Sequence, residues 1–193
     1  FQMKPVRIGT RSSALAMWQA QWVQNTLTEI GIATEIVPIH SSGDNNLVQP
    51  LYEMGVVGVF TKELDQALLQ KEVDICVHSM KDVPTQLPDG IVEGFVPKRG
   101  PAGDVFVFRE KNWESLPQRT IATSSLRRQA QWLFAHKNDT VVPLRGNIQT
   151  RLDKIQINNW DGAVFAQAGL QRLSTNPAIY CPIDWMIPAP AQG

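Results

Sequence analysis

Residues 120–151 read TIATSSLRRQAQWLFAHKNDTVVPLRGNIQTR, and the fold turns on how this run divides. Residues 120–123 are short, apolar and β-branched, the make-up of a strand. Thr123-Ser124-Ser125 follows, and hydroxyl residues are favoured where a helix begins because their oxygens accept from its unpaired N–H groups. Residues 125–136 then read as a helix, 141–144 as a strand and 148–157 as a second helix. Strands and helices alternating at these lengths predict βαβ units and a largely parallel sheet.

The same order extends outward. Residues 6–10 read as a strand, followed by Arg11-Ser12-Ser13 and a helix whose apolar face is Ala16, Ala20, Val23, Leu27 and Ile30. Those spacings of three and four keep one face inward, and Gly31 closes the helix. A strand at 34–39, a polar loop at 41–46 and the run Gly55-Val56-Val57-Gly58 come next. Phe60, Leu64, Ala67 and Leu68 mark another helix, and strands are expected at 73–77 and 91–96. Lys98-Arg99-Gly100-Pro101-Ala102-Gly103 is a Gly/Pro/charge cluster of the kind that links domains. Beyond it come strands at 105–108 and 163–166 and a short helix at 168–173. The expected fold is α/β, with one lobe over 3–98, a second over 99–188, and a cleft between them.

Composition narrows the function classes. With 43% hydrophobic and 19% charged residues, the 193-residue chain can bury a core, which excludes a disordered protein. There is no apolar run long enough to span a bilayer and no apolar signal near the N-terminus, so no membrane partner and a cytoplasmic location are expected. Cys76 and Cys181 are too few for a disulfide framework or a zinc site, so no metal is expected. Eighteen basic residues balance eighteen acidic ones, which argues against steering toward nucleic acid. The charge is uneven, however: residues 119–151 hold Arg119, Arg127, Arg128, Lys137, Arg145 and Arg151 against Asp139 alone. No aromatic stacking platform is interleaved with them, so no nucleic-acid partner is expected.

The arginines fall where strands end. Gly9-Thr10-Arg11-Ser12-Ser13 and Ala122-Thr123-Ser124-Ser125-Leu126-Arg127-Arg128 each pass from strand to helix, and Leu144-Arg145-Gly146-Asn147, with Arg151 one turn on, repeats the arrangement. N-capping alone explains the hydroxyls. It does not explain the cations, because a cation at a helix N-terminus opposes the helix dipole at a cost of roughly 0.3–1 kcal/mol. A bound anion removes that conflict, so a ligand carrying several negative groups is expected. Carboxylate is favoured over phosphate, since Gly55-Val56-Val57-Gly58 lacks the Lys-Ser/Thr ending of a phosphate loop. At another strand end, Val77-His78-Ser79-Met80-Lys81-Asp82-Val83-Pro84 sets Asp82 among cations, which favours its ionised form. A carboxylate so placed can stabilise positive charge developing on a substrate.

These motifs, together with Arg7-Ile8-Gly9-Thr10-Arg11, Phe60-Thr61-Lys62-Glu63-Leu64 and Ala168-Gly169-Leu170, resemble the porphobilinogen deaminase (hydroxymethylbilane synthase) family over nearly the whole chain from Val6. The resemblance implies a three-domain transferase of haem and tetrapyrrole biosynthesis whose first two lobes are periplasmic-binding-protein-like. It implies condensation of four porphobilinogen units with loss of ammonia, primed by a dipyrromethane cofactor linked to a cysteine. It also assigns roles: Arg11, Ser13, Lys81, Thr123, Ser124, Ser125, Arg127, Arg128, Arg145 and Arg151 bind acetate and propionate side chains. Asp82 is the catalytic group, contacting pyrrole N–H groups and stabilising the cation left as ammonia departs. Three departures stand out. Residues 189–193 are expected to begin a crossover back to the first lobe, with the third domain and its cofactor cysteine absent, so that this chain alone is inactive. Val57 stands where the family has a lysine, and Gly103 where an arginine precedes the aspartate. A degenerate paralogue serving as a non-catalytic two-lobed carboxylate-binding module is the alternative expectation.

Overall fold

A computed structural model describes residues 4–40, 58, 60–175 and 180–193. Those up to Pro97 form one compact unit and those from Lys98 form another. The expected loop at 41–46 and the run at 55–57, Val57 included, lie outside the described residues.

In the first unit, β1 (Val6–Arg11) is the middle strand of three, parallel to β2 (Thr34–Ile39) and to β3 (Ile75–Cys76). Ile8 sits opposite both Ile36 and Ile75. Helix α1 (Ala14–Glu29) packs on β1 and β2 through Ala16 and Ala20, whose small side chains bring the helix close. The Thr10 hydroxyl, buried at that contact, donates to the Ala16 carbonyl at 3.2 Å. Gly31 ends the helix in the left-handed region (φ +79°), its N–H donating to Thr28 O at 2.9 Å while Ile32 N–H reaches Leu27 O at 3.0 Å. Helix α2 (Lys62–Leu69) buries Leu64 and Ala67 and packs on β1 and β3.

Two expected strands differ. The one at 73–77 is reduced to Ile75–Cys76. The one at 91–96 does not form, and Val92 and Phe95 are 83% and 73% exposed. Strand propensity measures fit against cross-strand neighbours, and none of the described strands pairs with this segment.

The second unit holds five strands: β4 (Asp104–Phe108), β5 (Thr120–Ala122), β6 (Thr140–Val142), β7 (Gly162–Ala166) and β8 (Tyr180–Pro182), ordered β6-β5-β7-β4-β8. β5 is parallel to β6 and β7, whereas β4 runs antiparallel to β7 and β8. The largely parallel arrangement holds in the first sheet and on one side of the second. β4 is reached from the linker, not from a crossover helix, so its connection does not require a parallel neighbour.

Period-two alternation along the strands sends side chains to both faces. Val105, Val107, Ala163 and Phe165 join Leu144, Ile155 and Leu170 in one core, while Phe106, Ile121 and Val164 join Trp132 and Met186 in another. Helix α3 (Leu126–Ala135) supplies Trp132, α4 (Ile148–Ile157) supplies Ile155, and α5 (Gln167–Arg172) supplies Leu170. Burial on both faces explains why β4 and β7 read as continuous apolar runs, DVFVF and GAVFA. Gly162 is required there, because any Cβ would enter the Phe106 ring.

Candidate functional site

Arg11 is the last residue of β1, and its guanidinium carbon lies 4.1 Å from the centre of the Phe60 ring. Stacking on an aromatic face holds the cation without consuming its charge. Ser13 caps α1, its Oγ accepting from Ala16 N–H at 3.3 Å. After β3, a single 3-10 turn, Met80–Asp82, carries the Lys81 and Asp82 pair. It is anchored by Asp82 N–H donating to Ser79 O at 2.9 Å and by Gln19 Nε2 donating to Ser79 Oγ at 3.0 Å.

Burial raises the Asp82 carboxyl above the ordinary aspartate value, and Lys81, Arg11 and His78 each pull it back down. The cations expected from the sequence therefore surround it, but desolvation outweighs them, so the charge is held less firmly than cations alone would hold it. Among the described residues no hydrogen bond reaches this carboxylate. Burial lowers His78, against the attraction of Asp65 and Asp82, which favours its neutral imidazole.

The second unit collects the remaining residues at the ends of β5 and β6. Ser125 caps α3, accepting from Arg128 N–H at 3.4 Å, and the buried Thr123 Oγ1 accepts from Ser125 N–H at 3.2 Å. The Ser124 hydroxyl donates to Leu144 O at 2.9 Å and accepts from Leu144 N–H at 2.8 Å, tying the two strand ends together. Asn147 caps α4, accepting from Thr150 N–H at 2.9 Å. Arg151 Nε donates to Gly146 O at 2.7 Å. Its guanidinium is pushed down to about 10 by burial first and then by repulsion from Arg128 and Arg145. Helices α1, α3 and α4 have no acidic residue in the first turn, whereas α2 has Glu63 and Asp65. The three helix starts that follow strands carrying these motifs thus have no first-turn carboxylate to complement their dipoles.

Arg127 and Arg128 turn inward. Arg127 Nη2 donates to Asp104 Oδ2 at 2.7 Å and to Gln192 Oε1 at 3.2 Å. Arg128 sends Nη2 and Nε to Asp104 Oδ1 at 2.7 and 3.1 Å and Nη1 to Val164 O at 3.3 Å. Gln192 Nε2 donates to the same Oδ1 at 2.8 Å and to Ala102 O at 2.7 Å. Asp104 and Gln192 organise the arginines, yet sequence reasoning did not select them. The usable signal was Asp104 itself, a charged residue opening an otherwise apolar strand.

Neither thiol is placed to act as a nucleophile. Cys76 donates to Leu64 O at 3.5 Å and burial pushes it up to about 12; burial also raises Cys181. Among the described residues no group of three or more His, Cys, Asp or Glu is arranged to hold a metal ion, and no helix is long and apolar enough to cross a membrane.

Fold and site together define an α/β protein of two units, with arginines gathered at strand ends in the second. The family described as porphobilinogen deaminase, dipyromethane cofactor binding domain, matches residues 6–193. The chain is 47% identical over 196 residues to the porphobilinogen deaminase of Pelotomaculum thermopropionicum, covering 98% of this chain and 63% of that protein. It is 44% identical over 194 residues to that of Syntrophotalea carbinolica, covering 97% and 62%. Among solved structures it is similar to the probable amino-acid ABC transporter extracellular-binding protein YtmK from Bacillus subtilis, at 10% identity and a TM-score of 0.47, covering 94% of this chain and 79% of that one. The chain belongs to the porphobilinogen deaminase family, a family of transferases, and spans less than two thirds of the length of the relatives it matches.

Proposed function

We propose that the full protein is a cytoplasmic porphobilinogen deaminase that condenses four porphobilinogen units head to tail, releasing ammonia at each step and a linear hydroxymethylbilane at the end. The observation that carries this reading is the gathering of Arg128 and Arg145 around the half-buried Arg151, whose guanidinium is lowered by burial first and then by repulsion from those two cations. A ligand with several carboxylates relieves that repulsion, and each pyrrole of the substrate brings an acetate and a propionate. Arginine suits them because its planar fork matches a carboxylate in two parallel hydrogen bonds.

In this reading Arg127, Arg128, Arg145 and Arg151, with Thr123, Ser124 and Ser125, hold carboxylates in the second unit. Arg11, Ser13 and Lys81 do so in the first. The hydroxyls of Ser13, Ser124 and Ser125 already serve backbone groups, so their share is to shape helix starts and strand ends that present N–H donors. A dipyrromethane has the carboxylates these cations accommodate, and when bound it supplies the pyrrole to which the first substrate unit is joined. The half-buried Cys76 and Cys181 thiols, both raised by burial, do not suit its attachment, and its anchoring cysteine belongs to a part of the protein outside this chain. Asp82 accepts hydrogen bonds from pyrrole N–H groups and offsets the positive charge that develops as ammonia leaves. Among the described residues no donor engages it, which supports its availability for that role.

Turnover of porphobilinogen by the full-length protein, followed as ammonia and hydroxymethylbilane, tests the proposal. The 193-residue chain alone is expected to show neither turnover nor a covalent mass increment on either thiol. A full-length protein that binds porphobilinogen without forming the bilane would refute the catalytic reading and leave a carboxylate-binding module.

A further inference from the structure

Resting on that reading, we infer that Asp104, supported by Gln192, is a positioning residue that locks Arg127 and Arg128 into a pair with one net positive charge, and so sets this part of the site for a single ligand carboxylate.

An ionised carboxylate offers about four acceptor positions. At Asp104 four donors arrive at 2.7–3.1 Å: Arg128 Nη2 and Nε and Gln192 Nε2 on Oδ1, and Arg127 Nη2 on Oδ2. The Asp104 side chain is 0% exposed, that of Arg128 10% and that of Arg127 22%. Exposure therefore grades outward from the carboxylate through Arg128 to Arg127, whose Nη1 donates to Ile187 O and which is the more open of the two to an incoming ligand. Arg128 acts behind it, its three nitrogens directed to Asp104 and Val164.

Two adjacent arginines with no internal anion would present a double charge and take a dianion or two carboxylates. With Asp104 between them the group carries one net charge, matched to one carboxylate. Gln192 tightens the geometry from the other side, accepting from Arg127 while donating to Asp104 and to the linker carbonyl of Ala102. The consequence is selectivity for the number of negative charges, beyond attraction to negative charge in general.

The test uses the full-length protein and four variants: Asp104→Asn, Asp104→Glu, Gln192→Leu and Arg127→Gln. Each is assayed for KM and kcat with porphobilinogen and for the rise in melting temperature caused by inorganic phosphate relative to acetate. Asp104→Asn is expected to raise KM at least about tenfold, with a smaller change in kcat, since a buried charge pair loses one partner. It should also shift the thermal response toward phosphate, and Asp104→Glu should restore both properties in part. Gln192→Leu retains the charge and should raise KM about threefold, the scale of a lost hydrogen bond. If Asp104→Asn does not fold, Gln192→Leu carries the decision. A KM equal to that of the parent protein in whichever variant folds, with the phosphate-to-acetate ratio unmoved, overturns the inference. Arg127→Gln separates it from the reading beneath it: an unchanged KM there removes the arginine pair from the site altogether.

Discussion

Asp82 in the first unit and Asp104 in the second are both aspartates set among cations, and the structure treats them in opposite ways. Asp104 is met by four hydrogen-bond donors, two arginines among them, so its charge is spent within the protein. Asp82 has Lys81, Arg11 and His78 nearby, receives no hydrogen bond among the described residues, and is raised by burial. A carboxylate whose acceptors are filled holds structure together. One set among cations, with no donor among the described residues, suits the proposed role of meeting a ligand that brings its own N–H groups. Cationic surroundings alone do not distinguish the two; the supply of donors does.

The same substitution at both positions should therefore have opposite effects. Asp104→Asn breaks a buried ion pair with two partners, which costs on the order of 3–5 kcal/mol because the guanidinium groups are left buried without their anion. Chemical denaturation should show a large fall in the midpoint. A stability near that of the parent protein would mean the arginines find other anions or water, and the contrast with Asp82 would weaken.

Asp82→Asn is expected to lower turnover of the full-length protein by roughly 10²–10³-fold, the scale seen when one preorganised group that stabilises transition-state charge is removed. Its stability should not fall. Because the folded-state carboxyl lies above its unfolded value, its stabilising share is complete below the unfolded pKa of about 4 and is lost as pH rises through the folded value. At neutral pH the charged side chain thus opposes folding slightly, and the amide should be as stable or more so. Melting curves at acidic and neutral pH, beside steady-state rates, check both halves. A destabilised Asp82→Asn protein would show that this carboxylate is structural after all.

What could be read from the sequence follows the range of the interactions involved. Ser13, Ser125 and Asn147 each act within three residues of themselves, so their caps were visible as local patterns. Ala16, Ala20, Leu64 and Ala67, picked out by helical periodicity, are buried, again a local signal. The pairing of Asp104 with Arg127 and Arg128 spans 23 and 24 positions, and the Gln192 contact spans 88, so no local spacing could announce them. The reversal of β4, the unexpected strand β8 and the missing strand at 91–96 share that cause, since a strand exists only where another segment supplies its partner. Arg127 and Arg128 stood out in the sequence as cations at a helix start, but their engagement with an internal carboxylate did not.

A smaller effect tests whether the hydroxyls at the strand ends act mainly through backbone groups. Ser125→Ala removes the cap of α3 and should cost about 1 kcal/mol, with Ser13→Ala alike at α1. If these hydroxyls contributed no more than caps, ligand affinity would change little. A loss of affinity well beyond the loss of stability would give them direct contact with the ligand.

The weakest effect belongs to a third aspartate, which completes the comparison. Asp74 is pulled down to about 2 by hydrogen bonds from the Arg7 side chain and backbone, and both residues are exposed. Its sign is opposite to that of Asp82: a lowered carboxyl lends stability above its unfolded pKa of about 4 and loses it as pH falls through the folded value near 2. Water and salt screen the pair, so Asp74→Asn should shift the neutral-pH denaturation midpoint barely at all, less still at high salt. Acid titration is the sharper measurement. The small difference between parent and variant should close as pH falls from about 4 toward 2, whereas any difference at Asp82 should already have closed by about pH 4, with the reverse ordering. If the two differences shared one sign, burial would no longer account for the contrast between a carboxylate in solvent and one withdrawn from it.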